Sequence, residues 1–102
     1  MTQTEVTLVR VYCTEKGRQH QQIIDLLHQQ HRVAGVTAFR GIVGFGRSGH
    51  IHEAGLLDVS LDLPVIIEFF DRPQKIAAVL PLIHDIVGPG HIVSWPAEAN
   101  LD

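Results

Sequence analysis

Apolar residues recur along this chain with two alternating periods. Residues 6–13 place Val6, Leu8 and Tyr12 on one face together with Arg10, and Thr7, Val9 and Val11 on the other, which predicts a strand with both faces largely apolar. After a turn at residues 14–17 the period lengthens. Ile23, Ile24 and Leu27 recur at helical spacing among Gln19, Gln22, Gln29 and Gln30, so residues 18–32 are predicted to form an amphipathic helix. Gly35 is expected to end that helical region, and residues 36–45 to form a second strand, returning parallel to the first through the helical crossover.

The pattern then repeats. Residues 63–70 read as a third strand, in which Val65, Ile66, Ile67, Phe69 and Phe70 leave neither face polar except at Glu68. Asp71 suits an N-cap, Pro73 a first helical turn and Gln74 the reciprocal capping side chain. A second helix follows, with Ile76, Val79, Leu80, Ile83 and Val87 as its buried stripe and a kink or break expected at Pro81. Gly88-Pro89-Gly90 stops it. Residues 91–95 make a short last strand that Pro96 is expected to end, with Trp95 as a packing anchor and a loosely held tail from Ala97.

The series β-α-β-β-α-β predicts an α+β, ferredoxin-like sandwich: a four-stranded, mainly antiparallel sheet with two helices on one face, filling residues 1–102 as a single domain. Two helices cover only one face of such a sheet. Because the first and third strands are apolar on both, the uncovered face predicts a homo-oligomer closed about a symmetry axis. Arg10 and Glu68 interrupt that apolar pattern and are expected to pair with each other across the sheet.

Charge and composition narrow the function. A formal net charge of -3 without a basic run excludes a nucleic-acid groove. The longest nearly unbroken apolar run, residues 76–83, is too short to insert in a bilayer, and the N-terminal residues lack a signal-peptide pattern, so a cytoplasmic protein is expected. Cys13 is the sole cysteine, which excludes an internal disulfide and a thiolate cluster and leaves it as a small buried hydrophobe.

The densest chemistry lies at residues 40–53, R-G-I-V-G-F-G-R-S-G-H-I-H-E. Gly44, Gly46 and Gly49 allow the backbone to approach a ligand closely and to turn its N–H groups toward an anion, and Arg47 adds a permanently charged fork. The same glycines match a dinucleotide-binding spacing, but no helical period follows them, so that reading is rejected. Residues 47–62 form a loop of functional length, with a mobile tip at 48–55 and an alternating segment at 57–62 suited to a strand extension. His50, His52 and Glu53 form an alternative metal set, in which a symmetry mate supplies the third ligand. His28 and His31 fall within one helical turn but lack a third ligand, which leaves them at the rim or solvated. No nucleophile with an identifiable base and no paired carboxylates stand out, so no enzyme activity is expected.

The chain resembles the PII signalling superfamily through G-F-G-R-S-G-H at residues 44–50 and G-P-G-H-I-V at 88–93. More closely it resembles the group called domain of unknown function 190, through L-V-R-V-Y at 8–12, R-G-I-V-G-F-G at 40–46 and D-L-P-V-I-I-E at 62–68. The resemblance implies trimers with inward-facing sheets and a long loop that touches partners. It also implies an adenine nucleotide, with or without magnesium, in the cleft between subunits. Gly44, Phe45, Gly46 and Arg47 at the loop base, and Gly88 and Gly90 with His91 before the last strand, are the residues that carry this over. His91 stands where PII proteins typically have a lysine, as a weaker and pH-dependent donor, and Ser48 stands where they have a glutamine. Family association with fluoride channels implies a membrane transporter or channel as partner. A ligand-free oligomeric adaptor is the other reading of the same fold.

Overall fold

The computed structural model describes residues 2–46, 49, 51–53 and 63–101. Strand β1 (Thr4–Thr14) leads through a short 3-10 turn into helix α1 (Gln19–Asp25), which widens into a π-turn over Leu26–Gln30. There the His31 N–H donates to the Leu26 carbonyl at 3.2 Å. Strand β2 (Gly35–Arg40), the two-residue strands β3 (Val43–Gly44) and β4 (His52–Glu53), strand β5 (Pro64–Asp71), helix α2 (Pro73–Val87) and strand β6 (Ile92–Ala99) follow.

The main sheet has the order β2-β5-β1-β6, and every neighbouring pair is antiparallel. Since β1 and β2 both run against β5, they are parallel to each other, as the crossover requires. The sequence pattern sets the layers. Val9, Val11 and Cys13 of β1 lie opposite Phe69, Ile67 and Val65 of β5, and these six side chains form one buried cluster with Ile23, Leu27, Ile76, Val79 and Ile83 of the helices. Full burial of each such side chain stabilises by roughly 1.5–3 kcal/mol.

The alternate positions face away from the helices. In register across the four strands they are Phe39, Ile66 and Tyr12; Thr37, Glu68, Arg10 and Val93; and Gly35, Phe70, Leu8 and Trp95. Phe39, Tyr12, Val93 and Trp95 are all at least 39% exposed, so this face carries a broad apolar surface.

Several local expectations are corrected. The helical region ends at Arg32, which adopts a positive φ of 46°, while Gly35 opens β2. Gly35 is there for space: a Cβ would lie 2.6 Å from Phe70 Cε1. The second strand is interrupted after Arg40, because the Gly41 N–H turns to the Pro64 carbonyl at 2.7 Å and β3 pairs elsewhere. Asp71 ends β5 and does not occupy the N-cap, which is Arg72; its carboxylate takes the Arg72 N–H at 2.7 Å, and Gln74 makes no cap bond. Helix α2 runs through Pro81, an exposed position with the small, exposed Ala77 and Ala78 four and three residues before it.

The last strand differs most. It continues through Pro96 to Ala99, with Ala97 opposite Val6, because β6 is an edge strand and a proline there removes no ladder bond facing outward. The tail from Ala97 is thus sheet, and Trp95 is an exposed residue of the open face, not a core anchor.

Candidate functional site

Strands β1 and β2 end, and β5 and β6 begin, at one end of the sheet, and the chemistry-bearing turns gather there. The loop before β5 is fastened at both roots. The Gly41 N–H donates to the Pro64 carbonyl at 2.7 Å, and the Glu15 N–H donates to the Leu63 carbonyl at 3.0 Å. Above them Arg40 reaches across β5 and forms an ion pair with the buried Glu15 carboxylate through Nε, a charge contact without hydrogen-bond alignment. An unpaired carboxylate at that depth would be costly, so the pair holds the loop root against the end of β1. Neither partner stands out in the sequence except that Arg40 heads the glycine-rich stretch.

From this root rises a short ladder in which Val43 opposes Glu53 and Gly44 opposes His52. Gly44 rests on the Pro64 ring, where an added Cβ would lie 3.5 Å away, an ordinary contact. Of the three loop glycines only Gly49 has a positive φ, 75°, and its N–H donates to the Gly46 carbonyl at 2.9 Å to close a tight turn. Phe45 is 74% exposed, beside the exposed Ile42, Val43 and Ile51. Arg47 lies outside the described residues, as do the segment 57–62 and, within the tip at 48–55, Ser48, His50, Ala54 and Gly55. Among the described residues no group of three His, Cys, Asp or Glu is placed to hold a metal.

The second turn is built on helix α2. The Gly88 N–H closes the helix on the His84 carbonyl at 2.7 Å, and Gly88 and Gly90 have φ of 76° and 87°, a region that favours glycine. His91 is then fixed to β1 twice: its carbonyl accepts the Tyr12 N–H at 2.8 Å, and its Nδ1 lies 2.8 Å from the Tyr12 carbonyl oxygen. A carbonyl only accepts, so Nδ1 carries the proton, and the neutral ring presents a lone pair at Nε2. Only the imidazolium form donates outward from this position.

The two turns stand at the same end of the sheet but on opposite edges. The loop root belongs to the β2 edge and the residue 88–91 turn to the β6 edge, with β5 and β1 between them. Three strand spacings separate them by roughly 14 Å. The predicted ligand residues are therefore divided into two groups within one chain.

Elsewhere, a single carboxylate joins the other end of the sheet. Asp71, which is buried, accepts the Ala34 N–H at 2.9 Å and the Arg72 N–H at 2.7 Å and lies 3.6 Å from Lys75 Nζ. On the open face Arg10 Nε donates to Glu68 Oε1 at 2.9 Å, the pairing expected from the sequence. Hydrogen bonding to Glu68, and then to Tyr12, raises the Arg10 pKa further. Burial pushes the Cys13 thiol up to about 11, which makes it inert at neutral pH.

The order β2-β5-β1-β6, with two helices on one face, defines a PII/CutA-like ferredoxin fold. CutA from the bacterium Xylella fastidiosa superposes with a TM-score of 0.63 at 14% identity, covering 97% of this chain and 88% of that one. CPII from Thiomonas intermedia K12, a nitrogen regulatory PII-like protein whose structure is bound to ADP, AMP and bicarbonate, gives 0.71 at 16% identity, covering 96% and 89%. Within that fold the chain belongs to the DUF190 family, described as "Uncharacterized ACR", whose model matches residues 6–99. The UPF0166 protein MJ1524 of Methanocaldococcus jannaschii is 28% identical over 85 residues, 78% of this chain and 77% of that protein. No helix among the described residues is long and apolar enough to cross a membrane.

Proposed function

We propose that this chain is a non-enzymatic PII-like regulatory protein that forms a homotrimer through its open sheet face and binds an adenine nucleotide between subunits. The loop root of one copy, Gly44 to Gly46 with Arg47 and Gly49, meets the Gly88, Gly90 and His91 turn of the next. Loop 47–62 then reports occupancy to a cytoplasmic face of a partner such as a membrane transporter or channel. The observation that carries this reading is the division of the two glycine turns between opposite edges at one end of the sheet. A rotation that buries the open face against neighbouring copies brings one edge of each chain toward the other edge of the next. The nucleotide bound in the CPII structure supports the ligand class.

Each half supplies a distinct chemistry. Arg47 offers bidentate hydrogen bonds to a phosphate, and the glycine turns offer backbone N–H groups without a Cβ in the way. His91, held by Tyr12 through Nδ1, contributes a donor to phosphate only when Nε2 is protonated.

Isothermal titration of the purified protein with ATP, ADP, AMP and cyclic AMP, with and without magnesium, tests the reading. Binding is expected for at least one nucleotide, weakened about tenfold or more in Arg47→Ala, the scale of one charge-assisted hydrogen bond. His91→Lys places a permanently charged donor at the same turn and is expected to tighten binding. Absence of heat across the panel, or full affinity in Arg47→Ala, refutes nucleotide sensing and leaves a ligand-free adaptor.

A further inference from the structure

The open face carries a single ionic feature. Among the described residues at its register positions, Arg10 and Glu68 are the charged ones, and they sit in one row between Thr37 and Val93. The rows on either side are Phe39, Ile66 and Tyr12, and Phe70, Leu8 and Trp95. The pair is not deeply covered within the chain: the Arg10 side chain is 39% exposed and that of Glu68 26%.

This placement restricts what can cover the face. A guanidinium has five N–H donors in a rigid fork, more than Glu68 Oε1 and the Tyr12 phenol take up, and an ionised carboxylate accepts at both oxygens. Water serves the remainder while the face is exposed. A purely apolar partner would strip that water and leave both ions under-satisfied, at a cost that exceeds their mutual attraction. The covering surface must therefore bring an acceptor for Arg10 and a donor for Glu68, set in an otherwise apolar, aromatic-rich patch. A second copy of the same face presents both, because the patch carries one charge of each sign side by side.

We infer that Arg10 and Glu68 lock the register between copies of this chain, each guanidinium reaching the Glu68 carboxylate of the neighbouring copy and closing a cyclic Arg–Glu network inside the interface. The inference rests on the self-assembly proposed above and adds to it the residues that set its geometry. The aromatic rows provide the area, and the charges reject rotations that would bring like charges together.

Light scattering after size exclusion, combined with native mass spectrometry of mixtures, tests it. Wild-type protein is expected to be an oligomer, and Glu68→Gln to assemble about thirtyfold or more weakly, as when one partner of a buried charge pair is removed. Arg10→Glu and Glu68→Arg are each expected to be largely monomeric. Mixed together, these two variants are expected to co-assemble, because most contacts of a mixed ring are then complementary, and the double swap Arg10→Glu/Glu68→Arg is expected to assemble alone. Circular dichroism checks that each variant is folded. If the charge reversals unfold the chain, Glu68→Gln and Arg10→Met are compared in their place. A wild-type oligomer whose folded single variants assemble within about threefold of it overturns the inference. So does rescue by the double swap without rescue by mixing, which would confine the pair to one chain. A monomeric wild-type protein refutes the self-assembly reading itself.

Discussion

Replacing Gly35 by alanine tests the closest approach in the sheet. The added Cβ would lie 2.6 Å from Phe70 Cε1 and 2.8 Å from Cζ, well inside contact distance. Overpacking of this kind costs about 1–3 kcal/mol. Alanine also loses less backbone entropy than glycine in a strand, which returns roughly 0.5–1 kcal/mol. The net expectation is a loss of about 1–2 kcal/mol, a fall in Tm on the order of 5–10 °C for a chain of this size. Because Phe70 lies on the open face, its ring can escape only outward, so assembly is expected to weaken as well. Urea unfolding at matched protein concentration reads the first effect and sedimentation the second. Phe70→Leu shortens the obstructing ring, so in that background Gly35→Ala is expected to be close to neutral. If Gly35→Ala raises stability and leaves assembly intact, the close packing of β2 on β5 has been misjudged.

Three other perturbations have defined outcomes. Cys13→Ala is expected to change the alkaline limb of stability. The folded thiol is held near 11 by burial against an ordinary value of 9.0, so the unfolded chain loses its proton first. Wild-type stability should then fall faster with rising pH between those values, by up to about 1.4 kcal/mol per pH unit. Equal slopes for wild type and Cys13→Ala in denaturant titrations would contradict this. Asp71→Ala removes the acceptor for both the Ala34 and Arg72 N–H groups and is expected to cost about 2–4 kcal/mol by urea unfolding. An effect below about 0.5 kcal/mol would be too small for a buried joint. Pro81→Ala restores an N–H inside α2 and is expected to stabilise by about 1–3 kcal/mol, unchanged stability counting against strain at that position.

The order of elements was legible because the apolar period changes cleanly from two to helical and back, and β5 shows it most plainly, alternating buried and half-buried throughout. Strand ends were not. Pro96 reads as a terminator until β6 is known to be an edge, which depends on the order of the sheet and not on the residues around it. Asp71 reads as a cap because its second role, holding Ala34, joins positions far apart in sequence. Within the candidate site, Gly88 and Gly90 were legible as the stop of the second helix, and the Arg10–Glu68 pair from its isolation in apolar strands. The grip of Tyr12 on His91 and of Glu15 on Arg40 was not, since each depends on strands brought together by the fold.

The fastening of the loop at Gly41, Pro64, Leu63 and Glu15 has an evolutionary consequence. When both ends of a segment are already held by the sheet, lengthening it is inexpensive: doubling the number of residues between fixed ends costs only about 0.6 kcal/mol. The segment between Gly41 and Leu63 is thus an exchangeable cassette on a fixed plug. The same scaffold can acquire a new recognition segment by insertion or grafting without being redesigned, and a loop transplanted between these two residues should carry its binding preference with it.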